Sequence, residues 1–202
     1  MSIFLHKGDL PDSVDLGNVV AIDTETMGLK PRRDKLCLVQ LSSGDGDAHL
    51  VQLDRSTYDA PNLKKLLADP KVMKIFHFAR FDIAVMQYYL KVVCQPVYCT
   101  RTASKLARTY TDKHGLRDVC RELLDTDLNK HQQSSDWGAD NLTQDQLEYA
   151  ANDVYHLHKL KEKFDVMLER EGRTDLARRV FDFLPTRSEL DILGWSSDIL
   201  DH

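Results

Sequence analysis

Long apolar runs are missing from this chain. No stretch approaches the ~18 consecutive apolar residues of a membrane span, which excludes a helical membrane protein. The N-terminus also lacks the basic start and apolar stretch of a secretory signal. Cysteine is scarce, four in 202 residues, and Cys37, Cys94, Cys99 and Cys120 show neither paired metal-ligand spacing nor a dense framework. They read as reduced core thiols, and a cytoplasmic location is expected. Positive charge is not in excess either. A formal net charge of −5 argues against broad binding to long nucleic acid, which calls for a basic face. Internal repeats and low-complexity segments are absent.

What is present is the composition of an ordinary globular domain, 42% hydrophobic and 29% charged, long enough for a sizeable core. One stretch departs from the acidic average. Residues 101–121 hold six Lys or Arg (Arg101, Lys105, Arg108, Lys113, Arg117, Arg121) against two acids, which reads as a solvated helix face or a local basic patch.

Val19 to Ile22 is a short β-branched run, expected as a buried central strand. Leu36–Leu41 and Ala48–Leu53 follow across a Gly- and Asp-rich turn, so the three predict an antiparallel meander. Strands are then expected at 72–76 and 97–99, alternating with helices at 61–68, 81–90, 101–109 and 115–124. A capping box, Thr143-Gln144-Asp145-Gln146, opens the clearest helix, which runs at helical period to a stop at Gly172. His156 and His158 on that helix are expected to be solvated. The whole predicts an α/β fold with a mixed central sheet, an antiparallel meander followed by βαβ units, flanked by helices. From Arg173 the tail is too apolar to be disordered and should pack on its own domain or on a neighbouring subunit.

Three short motifs carry chemistry. Asp23 and Glu25, in Ile22-Asp23-Thr24-Glu25-Thr26, stand two apart at a strand end, so both carboxylates face one side. Two like charges there repel, and a cation removes that cost. Asp82 sits in His77-Phe78-Ala79-Arg80-Phe81-Asp82. Tyr149 and Asp153, four apart in the capped helix, share one face. Alone, each motif also fits a turn, a helix N-terminal acid or a surface pair. Together they make an oxygen-only, carboxylate-rich set suited to Mg²⁺ or Mn²⁺. Two such ions can activate water and stabilise the leaving oxygen of a phosphoryl displacement.

These motifs resemble, in order, those of the tyrosine-type DEDD (DEDDy) 3′–5′ exonucleases of the ribonuclease D family. The resemblance covers roughly residues 15–168. Lys130-x-x-Gln133-x-Ser135-Asp136-Trp137 is also similar to that family. The chain ends at His202, without the helical RNA-binding domains that follow the ribonuclease D catalytic domain, and in this and in Leu193-Gly194-Trp195 it is most similar to the single-domain NanoRNase C group of oligoribonucleases. The resemblance implies a ribonuclease-H-like fold, with residues 1–172 as exonuclease domain and 173–202 as a C-terminal segment. It implies two divalent cations, Mg²⁺ or Mn²⁺, at Asp23, Glu25, Asp82 and Asp153, with Tyr149 acting on the nucleophile. It implies an octameric homo-oligomeric ring and hydrolysis of short RNA, especially dinucleotides, to nucleoside 5′-monophosphates. Thr24, Leu29, His77 and Phe81 would contact substrate, Leu29 as a wedge between bases. Lys130, Gln133, Ser135 and Trp137 would meet its 5′ end. Two other readings stay open: an exonuclease acting on longer RNA or DNA, and a catalytically idle RNA-binding or scaffold module.

Overall fold

The computed structural model describes residues 2–128, 135–195 and 199. At its centre lies β2 (Val19–Thr26), whose Val20, Ala21 and Ile22 are fully buried in succession. Burial of neighbouring residues on both faces is the mark of a central strand covered by helices on each side. The expected meander is present: β3 (Leu36–Ser42) runs antiparallel to β2, and β4 (Ala48–Gln52) antiparallel to β3. Beyond β2, β5 (Met73–Phe76) pairs in parallel, and β6 (Val97–Cys99) pairs in parallel with β5. The sheet is thus mixed and helix-flanked, as the sequence predicts.

One strand was not foreseen. β1 (Ile3–Lys7) adds to β4 in parallel and completes the order β1-β4-β3-β2-β5-β6. It is an edge strand with partly exposed side chains, so its sequence shows no clean alternation of apolar and polar residues.

The helices are α1 (Pro61–Ala68), α2 (Ala79–Leu90), α3 (Thr100–Ala107), α4 (Leu116–Leu124), α5 (Gln144–Tyr155), α6 (Leu157–Arg170) and α7 (Thr174–Leu193). The long helix expected from Thr143 to Gly172 is two helices meeting at His156. α5 lies against the strands β1 to β4, whereas α6 packs on α3 and α4. A single straight helix could not serve both surfaces. The capping box at Thr143 is formed, with the Gln146 side chain returning to the Thr143 N–H. Gly172, in the left-handed region at φ 65°, ends α6 as expected. His158 is not solvated. Its Nε2 lies 3.1 Å from the Val19 carbonyl and its ring lies so close to Gly44 that a Cβ there would clash.

The apolar tail forms α7, which buries Ala177, Phe181 and Leu184. Arg173 ties its start to the Leu106 carbonyl (2.5 Å), Phe181 packs on Tyr98 (ring centroids 4.6 Å apart), and its last turns lie on α2. The basic stretch is not a uniformly solvated face either. Arg108 is completely buried, while Arg117 and Arg121 pair with Asp127 at the surface. All four cysteines are free and buried. Among the described residues no helix is long and apolar enough to cross a membrane.

Candidate active site

Three elements converge at the C-terminal end of β2. The strand alternation sends Asp23 and Glu25 to one side, where α5 packs and presents Asp153 and Tyr149 from adjacent turns of a single face. One carboxylate oxygen each from Asp23, Glu25 and Asp153 lie within 4.8 Å of one another. β5 runs parallel beside β2 and leads into α2, whose first turn carries Asp82. The buried Asp82 joins the cluster's edge, accepting the Thr24 hydroxyl at 2.6 Å. Gln40, opposite Asp23 in the β2–β3 register, donates to Asp23 Oδ2 at 3.4 Å.

This arrangement is electrostatically adverse for a protein alone. Burial, then the carboxylates of Asp82, Asp153 and Glu25, raises the Asp23 pKa well above the usual range. Burial, then the carboxylates of Asp153 and Asp82, does so for Glu25. Burial raises Asp82 to about 7 despite the opposing Thr24 hydrogen bond. Among the described residues no Lys, Arg or His forms an ion pair with Asp23, Glu25 or Asp82. A set of oxygen ligands this close and half-buried fits a hard divalent cation. Burial, then Asp153, Glu25 and Asp23, pushes the Tyr149 phenol upward, so it stands neutral beside them.

These side chains line a cleft of about 590 Å³. Leu29 stands at its mouth, 85% exposed, on a loop that Asp34 organises by accepting the Lys30 N–H (2.9 Å) and the Arg33 guanidinium. Gly28 is required there, because a Cβ would come within 2.4 Å of Asp34 Oδ2. Phe81 is half-buried in the wall. His77 also lines the cleft, its Nδ1 2.8 Å from the Thr100 hydroxyl, and burial holds its pKa down at about 3, so the ring is neutral. The Thr24 hydroxyl is already engaged by Asp82. Ser135 and Trp137 reach the cleft by way of the cap of α5: Gln146 Nε2 donates to Ser135 Oγ (2.9 Å) and to the Asp136 carbonyl (3.1 Å). Trp137 is buried against Tyr149, ring centroids 6.0 Å apart. Lys130 and Gln133 lie outside the described residues.

The cleft also takes in residues not singled out from the sequence as site residues, among them Met27, Phe78 and Leu116, together with Arg101 from the basic stretch. The Arg101 guanidinium stacks 4.9 Å from the centre of the exposed Phe78 ring. The basic stretch hinted at Arg101, and Phe78, though it lies within the second motif, is not picked out by it as a cleft residue. Another hollow of similar volume, ≈550 Å³, is lined by Lys7, Lys35, Asp54, Arg55 and Asp140 among others and contains no motif residue.

Residues 9–169 match the family model described as 3′-5′ exonuclease, and the chain belongs to that family. It is similar to ribonuclease D proteins: it is 36% identical over 154 residues to the ribonuclease D of Granulibacter bethesdensis, covering 76% of this chain and 38% of that one. It spans about two fifths of the length of the curated relatives it matches. Its likeness to Brucella melitensis NrnC runs over the whole chain. The Mg²⁺-bound structure of that protein matches with 54% identity and a TM-score of 0.96, covering 100% of both chains. The structure bound to pGG matches with 55% identity and a TM-score of 0.97, covering 100% of this chain and 99% of that one. Escherichia coli RNase D matches more distantly, with 26% identity and a TM-score of 0.73, over 85% of this chain and 45% of that one.

Proposed function

We propose that the protein is a metal-dependent 3′–5′ exoribonuclease that cleaves short oligoribonucleotides, dinucleotides above all, to nucleoside 5′-monophosphates. The observation that carries this reading is the juxtaposition of the Asp23, Glu25 and Asp153 oxygens within 4.8 Å, beside Asp82 and Tyr149. In this reading Asp23, Glu25, Asp82 and Asp153 hold two Mg²⁺ or Mn²⁺ ions. Bound there, the ions supply a water nucleophile near neutral pH and neutralise charge on the phosphoryl oxygens. Tyr149 orients that water by a hydrogen bond. Thr24 fixes the Asp82 carboxylate.

Preference for a short substrate rests on the full-length likeness to NrnC bound to pGG. Leu29 inserts between the two bases, and Phe81 and His77 bound the 3′-terminal nucleotide. Ser135 and Trp137, with Lys130 and Gln133, close the 5′ end. Residues 1–172 form the exonuclease domain and 173–202 the C-terminal segment. Exposed Phe183, Leu193, Trp195 and Ile199 offer that segment an apolar face for neighbouring subunits of a homo-octameric ring. Free, buried thiols suit a cytoplasmic setting.

Turnover on 5′-labelled RNAs of two to ten nucleotides, with matched DNAs and with Mg²⁺ or Mn²⁺, tests this reading. Fastest release from the RNA dinucleotide is expected. Equal rates across all lengths would overturn the substrate assignment, and activity in excess chelator would overturn the metal assignment.

A further inference from the structure

The first turn of α2 has a weak point. It must place Asp82 at the edge of the acidic cluster, yet no side chain caps its N-terminus. The residue in the cap position, Phe78, stands in the left-handed region at φ 78° and ψ 41°, which a bulky residue adopts only when its surroundings enforce it. The support comes from elsewhere. Ser188, fully buried on α7, donates its hydroxyl to the Arg80 carbonyl at 2.9 Å. Asp191, one turn further along α7, receives the Arg80 guanidinium in a two-pronged bond, Nε at 2.5 Å and Nη2 at 2.7 Å. Both contacts fall on the residue two places before Asp82.

The strut is itself braced. Arg187 donates from Nη2 both to Asp191 Oδ1 and to the Trp195 carbonyl, each at 2.7 Å. Gly194, at φ 100°, closes the last turn of α7: its own N–H donates to the Asp191 carbonyl (3.2 Å) and the Trp195 N–H to the Leu190 carbonyl (2.8 Å). Asp191 and Arg187 have side chains only 15% and 14% exposed, so the ion pair is more than a solvated surface contact. α7 begins at Thr174, after the end of the family-matched span at residue 169. The support therefore lies outside the family-matched span, though within the full-length likeness to NrnC.

We propose that the end of α7 is a positioning element for the metal site: Ser188 and Asp191, through Arg80, hold the first turn of α2 where Asp82 can serve a bound cation. This inference rests on the nuclease reading above. Ser188 and Asp191 touch neither substrate nor metal, so they are positioning residues, and removing them loosens metal binding before it slows the saturated reaction.

The test is a Mg²⁺ titration of dinucleotide turnover in three proteins, the wild type, the double variant Ser188→Ala/Asp191→Asn and the control Phe181→Leu, each paired with calorimetric Mg²⁺ binding and a thermal melt. In the double variant the Mg²⁺ concentration for half-maximal turnover should rise about tenfold, the effect of losing a support behind a metal ligand, with the saturated rate little changed. Phe181→Leu, which loosens α7 at Tyr98 instead, should lower the melting temperature and leave the metal midpoint in place. Asp191→Glu, which keeps a carboxylate for Arg80, should return the midpoint toward wild type. An unchanged midpoint in the double variant, or an equal shift in the Phe181 control, overturns the proposal. If the double variant does not fold, Ser188→Ala alone carries the comparison. If the wild type cleaves no dinucleotide, the nuclease reading fails, and the calorimetric midpoints still decide the positioning role.

Discussion

Two clusters of charge are taken out of water in this molecule, and they are treated in opposite ways. Around Arg108, which is completely buried, the chain supplies every partner. Ser104 Oγ and the Lys113 carbonyl accept from Nη1 at 2.9 and 2.7 Å, the Glu122 carboxylate takes Nε and Nη2, and Tyr110 donates its hydroxyl to the same carboxylate at 2.5 Å. Around Asp23, Glu25 and Asp82 the chain supplies a few neutral donors and no ion pair among the described residues. Burial and mutual repulsion raise their pKa values, whereas Glu122 is lowered by its bonds to Arg108 and Tyr110. A charge that serves the fold is neutralised by the fold. A charge reserved for a ligand is left for the ligand to neutralise, and stability is given up in its absence.

The largest expected effect that sharpens this contrast is at Asp23. Asp23→Ala should reduce dinucleotide turnover by more than ~100-fold, the upper end for residues that merely support a ligand. The same change should raise the melting temperature of the metal-free protein, because it removes one of the crowded carboxylates. A fall in both would place Asp23 in the structural class instead. Arg108→Ala should do the reverse. It should cost about 3 kcal/mol in urea unfolding, at the low end for breaking a buried pair because Glu122 is partly exposed and can rehydrate. Its turnover per folded molecule should be unchanged, and a specific loss of rate would blur the division between the two clusters.

Tyr149→Phe should lower the saturated rate by about tenfold, the worth of a single hydrogen bond, without moving the Mg²⁺ midpoint. A much larger loss would make the phenol a proton acceptor rather than an orienting group. A further effect is in pH. A carboxyl held at about 7 in the folded protein, as for Asp82, binds a proton that an unfolded aspartate has released above about 4. Stability in excess chelator should therefore fall as pH rises from about 4 through about 7, and saturating Mg²⁺ should abolish that fall. Melting curves across this range decide it. A metal-free protein whose stability rises with pH in this window would show that its carboxylates are already neutralised from within.

Much of the fold was legible because local pattern and global demand agree. The β-branched run at Val19, the Gly-rich turn before Ala48 and the capping box at Thr143 each specify their element by near-neighbour physics, and each is where it was expected. The misses share one cause, which is contact at long range. β1 is a strand because β4 lends it hydrogen bonds. The helix after Thr143 divides at His156 because its two halves cover different surfaces. Arg108, which looks from its neighbours like a solvated cation, is buried because Glu122, fourteen residues on, comes back to meet it. The three motifs named the carboxylates of the site, but Phe78 entered the cleft only through the turn between β5 and α2.

The sequence by itself determined which groups are available for chemistry: Asp23 and Glu25 on one side of a strand, Tyr149 and Asp153 on one face of a helix. Those pairings follow from the two-residue and 3.6-residue periods of the backbone and need no further context. Only the tertiary structure decided that Asp153 meets Asp23 and Glu25 within 4.8 Å, that Asp82 joins them through Thr24, and that the apolar tail returns as α7 to support the turn bearing Asp82. Those contacts span 58 to 130 residues of chain, and burial and sheet order, not local preference, bring such distant groups together.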